Sequence, residues 1–118
     1  MSVLLALVLV VSMAVPALAA PHSGNYGGVS YTLTTGQAVT TGYAEFNFGA
    51  TVHVSLYASA IVQPYGGNAT VAHSTSASGP AYAYVSLNNG SYGSLPISAI
   101  VATAYAGSDL VRSVTDYY

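Results

Sequence analysis

The stretch TVHVSLYASAI, residues 51–61, alternates apolar and polar side chains at almost every position. Because neighbouring side chains of a β-strand point to opposite faces, this pattern predicts a strand with one buried and one exposed face. The side chains predicted to face the interior are Val52, Val54, Leu56, Ala58 and Ala60. Those predicted to face outward are Thr51, His53, Ser55, Tyr57 and Ser59. A half-buried strand of this kind is typical of an antiparallel sheet.

The rest of the chain repeats this organisation. Further strands are predicted at residues 29–34, 43–48, 69–73, 81–87, 97–105 and 109–118. Between them, SASGP at 76–80 indicates a turn and NNG at 88–90 a two-residue hairpin, because Gly, Pro and Asn favour turn backbone. No segment after residue 20 has the 3.6-residue period of a helix. We therefore predict an all-β fold, an immunoglobulin-like antiparallel β-sandwich of six or seven strands.

The composition excludes several classes of protein. Only 3% of the 118 residues are charged, whereas ordinary soluble domains carry about 25%. Lys is absent and Arg112 is the single Arg, so a nucleic-acid partner is excluded, since phosphate binding needs several basic side chains. The chain has no Cys and therefore no disulfide or thiolate metal site. A hydrophobic content of 53% is too high for disorder.

The N-terminal segment is uncharged and apolar over residues 3–20. Ala17-Leu18-Ala19 supplies the small residues that a signal peptidase accepts, so we predict cleavage after Ala19 and a mature chain that begins at Ala20. Residues 1–19 are then a signal peptide, and the protein is extracellular or at the cell surface. The alternative is a retained hydrophobic helix, which would be the one part of the chain to contact a membrane.

After the cleavage site, residues 20–28 are rich in Gly and are predicted to form a flexible leader. Residues 29–118 are predicted to form the β-sandwich domain. The domain count is therefore one, which suits a segment of this length.

The residues that could perform chemistry are few and poorly spaced. His22, His53 and His73 have none of the spacings of a zinc site, so no metal is predicted. His53 and Asp109 could join a serine in a triad, but no G-x-S-x-G motif occurs. The acids Glu45, Asp109 and Asp116 could pair for glycoside cleavage, but Asp109 and Asp116 are predicted to be solubilising or turn residues. We predict no catalytic residues, no cofactor and no enzyme activity.

Two features point to the surface. Asn68-Ala69-Thr70 and Asn89-Gly90-Ser91 are N-glycosylation sequons in predicted turns, so Asn68 and Asn89 are candidate glycan sites. Outward-facing tyrosines suit contact with another subunit or with a sugar, because each ring has an apolar body and a polar tip. The outward set is Tyr43, Tyr57, Tyr82 and Tyr84. Sheet edges are normally protected by charge, which this chain almost lacks, so self-association is predicted.

This layout resembles subunits of extracellular filaments from hyperthermophilic archaea: a signal-like helix, a Gly-rich leader, a charge-poor β domain and sequons in turns. The family includes bundling pili and threads in which a strand of one subunit completes the sandwich of the next. The resemblance implies a homopolymer in which Gly27–Thr35 is the donor strand, with Gly36 as the hinge. The side chains that fill the neighbour's groove would be Val29, Tyr31 and Leu33.

Two alternatives stay open. Archaeal type IV pilins also pair a hydrophobic N-terminal helix with a β head, and in that case residues 3–20 would remain in the subunit. The other alternative is a secreted monomer, a carbohydrate-binding or toxin-like β domain. The N-terminal residue of the mature protein distinguishes the pilin-like alternative from the filament hypothesis. The size of the protein in solution distinguishes the secreted monomer from it.

Overall fold

A computed structural model describes residues 18–118, which form eight β-strands in two antiparallel sheets of four strands. The strands are β1 (Leu18–Tyr26), β2 (Val29–Ala38), β3 (Thr41–Phe48), β4 (His53–Val62), β5 (Thr70–Pro80), β6 (Tyr82–Asn88), β7 (Ile97–Ala106) and β8 (Asp109–Tyr117). The all-β prediction is confirmed, with eight strands in place of six or seven. The predicted N-terminal helix lies outside the described residues. No helix suited to crossing a membrane occurs in the range 18–118.

Sheet A has the strand order β1-β2-β3-β6, and sheet B has the order β5-β4-β7-β8. The chain crosses between the sheets after β3, after β5 and after β6, while the remaining connections are hairpins. Both sheets contribute to one apolar core, in which the largest fully buried side chains include Leu33, Phe46, Leu56, Ile97 and Ile100. Strands β1 and β6 are the edges of sheet A, and β5 and β8 are the edges of sheet B.

The alternation in residues 51–61 produces β4, which pairs with β5 on one side and β7 on the other. Val54, Leu56, Ala58 and Ala60 face the core as predicted. Val52 does not, because it precedes the strand and is 41% exposed.

Residues 20–28 were expected to be a flexible leader, but the structure places 18–26 in β1. β1 pairs with β2 along its whole length. Gly27 and Gly28 close the hairpin with φ of +56° and +82°, a turn geometry that only glycine adopts at little cost. The alternation of β1 is hard to detect because three of its four inward positions carry small or polar residues, Ala20, His22 and Gly24, and Tyr26 is the one large apolar residue among them.

Two predicted turns also differ from the structure. SASGP is part of the eleven-residue β5, in which the outward serines alternate with small inward residues. NNG does not form a hairpin, because β6 ends at Asn88 and the chain crosses to sheet B through residues 89–96. Asn89 turns inward there, and its Nδ2 donates hydrogen bonds of 2.8 Å to the carbonyls of Gly93 and Leu95. These bonds hold the crossing loop, which explains why the turn signal was misleading.

Candidate functional site

The predicted donor residues lie inside their own domain. β2 is paired with β1 on one side and with β3 on the other. Leu33 is fully buried in the core, Tyr31 is 8% exposed, and Val29 is half-buried beside the β1–β2 turn. The N-terminal strand with a free edge is therefore β1 rather than the segment Gly27–Thr35.

A group of polar side chains links β1 to the opposite sheet. On β1, Nε2 of His22 lies 2.8 and 2.9 Å from the two carboxylate oxygens of Asp116 on β8. A carboxylate only accepts hydrogen bonds, so Nε2 of His22 carries the proton and donates. The Thr35 hydroxyl donates to the same carboxylate at 2.6 Å, and the Tyr118 hydroxyl bonds to Thr35 Oγ1. We call His22, Thr35, Asp116 and Tyr118 the β1–β8 clasp.

The clasp is a satisfied, mostly buried network. Thr35 has no exposed surface, and the side chain of Asp116 is 12% exposed. Because the Thr35 hydroxyl donates its hydrogen bond to Asp116, Thr35 Oγ1 accepts a hydrogen bond from the Tyr118 hydroxyl. The hydrogen bonds therefore run in one direction, toward the carboxylate. Burial is the main cause that raises the pKa of Tyr118; the hydrogen bond with Thr35 lowers this pKa, and the negative charge of Asp116 raises it. The Tyr118 hydroxyl therefore stays protonated and able to donate.

A second contact lies beside the clasp. The Tyr31 ring packs across Gly24 of β1, where a Cβ atom would stand 2.5 Å from the Tyr31 hydroxyl oxygen. Nη1 of Arg112 on β8 donates to the same hydroxyl at 3.2 Å. Gly24 is therefore required by close approach. The charged groups of Arg112 and Asp116 therefore both lie between the sheets, where they bond to side chains of β2.

The remaining titratable candidates are scattered. His53 is exposed at the first position of β4, and Asp109 is exposed at the first position of β8. Nδ1 of His73 accepts a hydrogen bond of 3.3 Å from the backbone N–H of Asn88. Within residues 18–118, no three His, Cys, Asp or Glu side chains are grouped to hold a metal ion.

The clasp does not have the order of a catalytic triad. In a triad the histidine stands between the carboxylate and the nucleophile, whereas here Asp116 stands between His22 and the Thr35 hydroxyl. Thr35 is also inaccessible to a substrate. The prediction that Asp116 is a solubilising residue is wrong, because its carboxylate is enclosed by the clasp. The arrangement suits holding two strands together.

The sequons differ in exposure. Asn68 is exposed in the connection between β4 and β5. Asn89 is 7% exposed, and its Nδ2, the atom to which a glycan is attached, is engaged by the two carbonyls described above. In the folded domain, Asn68 is therefore the sequon whose side chain is accessible.

The predicted cleavage site lies at the start of β1. Ala17 is outside the described residues, whereas Ala19 and Ala20 pair with Gly36 and Thr35 of β2. Cleavage after Ala19 would leave the part of β1 that carries His22. The cleavage itself stays a prediction.

Tyr43, Tyr57, Tyr82 and Tyr84 lie on the outer faces of the sheets, as predicted, and outer tyrosines form pairs there, which was not predicted. On sheet A, the rings of Tyr43 and Tyr84 are stacked with centroids 5.8 Å apart. On sheet B, Tyr57 and Tyr105 meet edge to face with centroids 5.7 Å apart. Serine and threonine hydroxyls surround the second pair and bond across strands, as Ser59 does with Ser74 and Thr103 with Ser113.

No protein-family model, curated protein or solved structure matches the chain. The fold and the site define an all-β domain of two four-stranded sheets whose N-terminal edge strand is fastened by a polar clasp.

We expect Thr35→Val to lower the free energy of unfolding by about 1.5–3 kcal/mol, because the substitution removes a hydrogen bond to a buried charged group at nearly constant shape. The matched control is Thr103→Val, whose hydroxyl bonds to Ser113 on the outer face and whose loss should change stability by no more than about 0.5 kcal/mol. Urea unfolding of both variants measures the difference. Equal effects would show that the clasp contributes nothing beyond a surface hydrogen bond.

In a host with an N-glycosylation pathway, we expect Asn68 to carry a glycan and Asn89 to be unmodified. A glycan on Asn89 would replace one of the two Nδ2 hydrogens and so remove one of the two hydrogen bonds that hold the crossing loop. Peptide mass spectrometry of the folded protein measures the occupancy of each site. Comparable occupancy at Asn89 would contradict the inward position of its side chain.

Proposed function

We propose that this protein is a structural subunit of an extracellular surface filament or sheath, assembled from copies of the chain through β-strand pairing. The observation that carries the proposal is the attachment of β1. Among the described residues, the extensive strand contact of β1 is with β2. β1 reaches sheet B through the clasp and through Tyr26, which lies beside Asp109 of β8 and packs against the core. A terminal edge strand held in this way is suited to exchange between copies.

The sheet edges support exchange of β1 over simple addition of a strand. β1, β5 and β6 contain no Asp, Glu, Lys or Arg, so charge does not prevent association. The edges nevertheless carry other interruptions: Pro21 in β1, and register shifts where β5 pairs with β4 and where β8 pairs with β7. Pro and bulges disfavour a new strand along an edge. Replacement of β1 by the β1 of another copy restores the existing ladder instead.

The energetics of exchange are favourable because the contacts remade are those that were broken. An incoming β1 would pair with β2 and place its own His22 against Asp116 of the acceptor. The Gly27-Gly28 turn is the natural hinge, since glycine adopts both turn and extended backbone readily. Exchange of identical elements is a low-cost route to oligomers, and a chain of such exchanges is open-ended. In this proposal the donor strand is β1, adjacent to the segment that the resemblance implied.

The β-sandwich architecture and the extracellular location of the subunit are part of the same proposal. The two facing sheets would form a β-sandwich that each neighbour completes, an immunoglobulin-like principle of packing with eight strands. Secretion after cleavage at Ala19 would place the subunit outside the cell. A pilin-like or membrane-anchored subunit that retains residues 3–20 is the alternative, and the N-terminal residue of the mature protein distinguishes the two.

A cysteine pair tests strand exchange directly. The chain has no native Cys, so Ser23→Cys with Thr32→Cys introduces one thiol on β1 and one on β2, at side chains whose oxygens are 3.2 Å apart. The matched control is Thr103→Cys with Ser113→Cys across β7 and β8, where the oxygens are 3.0 Å apart. Each variant is concentrated under reducing conditions, imaged by electron microscopy, oxidised and run on a non-reducing denaturing gel.

We expect both variants to form filaments. The β1–β2 pair should then give a ladder of covalent oligomers, because exchanged strands place the two thiols in different copies, while the β7–β8 control stays monomeric. Filaments with only monomeric bands in both variants would refute exchange of β1. Absence of any assembly at high concentration would refute the structural role.

A further inference from the structure

A cluster on the outer face of sheet A has no part in strand exchange. It consists of three tyrosines, one carboxylate and one amide on the neighbouring strands β3 and β6: Tyr43, Glu45, Asn47, Tyr82 and Tyr84. Glu45 lies directly opposite Tyr84 in the ladder, and Asn47 lies opposite Tyr82. We call this set the tyrosine platform.

The platform is ordered by its own contacts. The rings of Tyr43 and Tyr84 are 16° from parallel, and the Tyr82 hydroxyl donates to Glu45 Oε2 at 2.7 Å. Tyr82 and Tyr84 are 38% and 43% exposed, so their rings are accessible from solvent. Burial is the main cause that raises the pKa of both Tyr43 and Tyr82. Glu45 raises the pKa of Tyr43 further by its charge, and that of Tyr82 by a hydrogen bond and then by its charge. The hydroxyls are therefore neutral donors at ordinary pH.

The carboxylate determines what can bind. Glu45 is the single charged residue in the four strands of sheet A. A carboxylate has about four acceptor positions, and Tyr82 occupies one. A second copy of the chain is a poor occupant because the chain has no Lys, and its one Arg is bonded to Tyr31 between the sheets. An apolar partner would bury the charge without compensation, which is costly.

We propose that the tyrosine platform binds a neutral glycan, with the apolar face of a sugar ring on the exposed tyrosines and sugar hydroxyls donating to Glu45. A tyrosine ring has an apolar face and a polar tip, which suits the C–H face and the hydroxyls of a pyranose, and Tyr82 and Tyr84 are the exposed rings of the platform. Hydroxyl donors to a carboxylate form charge-assisted hydrogen bonds, roughly twice as strong as neutral ones. The Asn47 amide adds a donor and an acceptor at the rim. This activity is independent of assembly, since it uses neither β1 nor the clasp.

Isothermal titration calorimetry of the full chain tests the proposal, because it reports binding to monomers and to assemblies alike. The probes are three neutral hexasaccharides, cellohexaose, maltohexaose and hexa-N-acetylchitohexaose, together with tetramethylammonium as a cationic probe. We expect binding of at least one hexasaccharide. Tyr84→Ala should weaken it at least about tenfold, equivalent to ~1.4 kcal/mol, because the stacking ring is lost. Glu45→Gln should weaken it about fivefold by removing the charge-assisted bonds.

Tyr57→Ala is the matched control, because Tyr57 belongs to an exposed tyrosine pair on sheet B that has no carboxylate beside it. It should bind the same hexasaccharide with unchanged affinity. Far-UV circular dichroism checks that each variant is folded. If Tyr84→Ala does not fold, Glu45→Gln alone still tests the proposal. The proposal is overturned if no hexasaccharide binds at millimolar concentration. It is equally overturned if only tetramethylammonium binds, or if Tyr57→Ala abolishes binding while Glu45→Gln does not.

Discussion

The carboxylate of Asp116 receives hydrogen bonds from two strands of the opposite sheet, from His22 on β1 and from Thr35 on β2. It thereby joins the first strand of the described chain to the last. The bond also favours the observed register of β1. Pro21, Ala20 and Gly24, which a shift would bring to the carboxylate, have no side-chain donor, and Ser23 has a shorter side chain than His22. A mostly buried carboxylate that loses its donors costs about 1–3 kcal/mol. Any strand that replaces β1 must therefore present a donor at the position of His22, and a second copy of the chain does.

The distribution of charge connects this clasp to the surface. The chain has four charged residues, one Arg plus three Asp and Glu, and two of them, Arg112 and Asp116, point between the sheets. What remains outside is Glu45 on sheet A and Asp109 at the start of β8. Large areas are consequently covered by hydroxyls and tyrosines, which do not repel a similar surface. Because charged residues are so few, Glu45 stands alone among aromatic rings. The one charge in the strands of sheet A is therefore a hydrogen-bond acceptor for Tyr82 rather than part of a charged surface.

The sequence predicted those strands whose buried face carries branched or aromatic side chains. β4 and β6 have Val, Leu or Ala at every second position, and period two was sufficient to locate them. β1 was missed because three of its four inward side chains are small or polar, which leaves Tyr26 as the one large apolar residue of its alternation. The clasp was missed for a related reason: His22 and Asp116 are 94 residues apart, and only the pairing of sheets brings them together. Local turn chemistry failed at Asn89, where a side chain serves the crossing loop instead of a hairpin.

Exchange of β1 between copies requires that β1 leave the domain while the other seven described strands stay folded, and amide hydrogen exchange measures this opening. In dilute monomeric protein, followed by mass spectrometry of short peptides, the slowest amides of residues 18–26 should exchange through a local opening well before those of β3, β4 and β7. Asp116→Asn should accelerate exchange in β1 and leave the central strands unchanged, because it weakens the bond to His22. If the amides of β1 are protected as strongly as those of the central strands and exchange only on global unfolding, β1 cannot leave the domain by itself. That result would rule out exchange of β1 between copies.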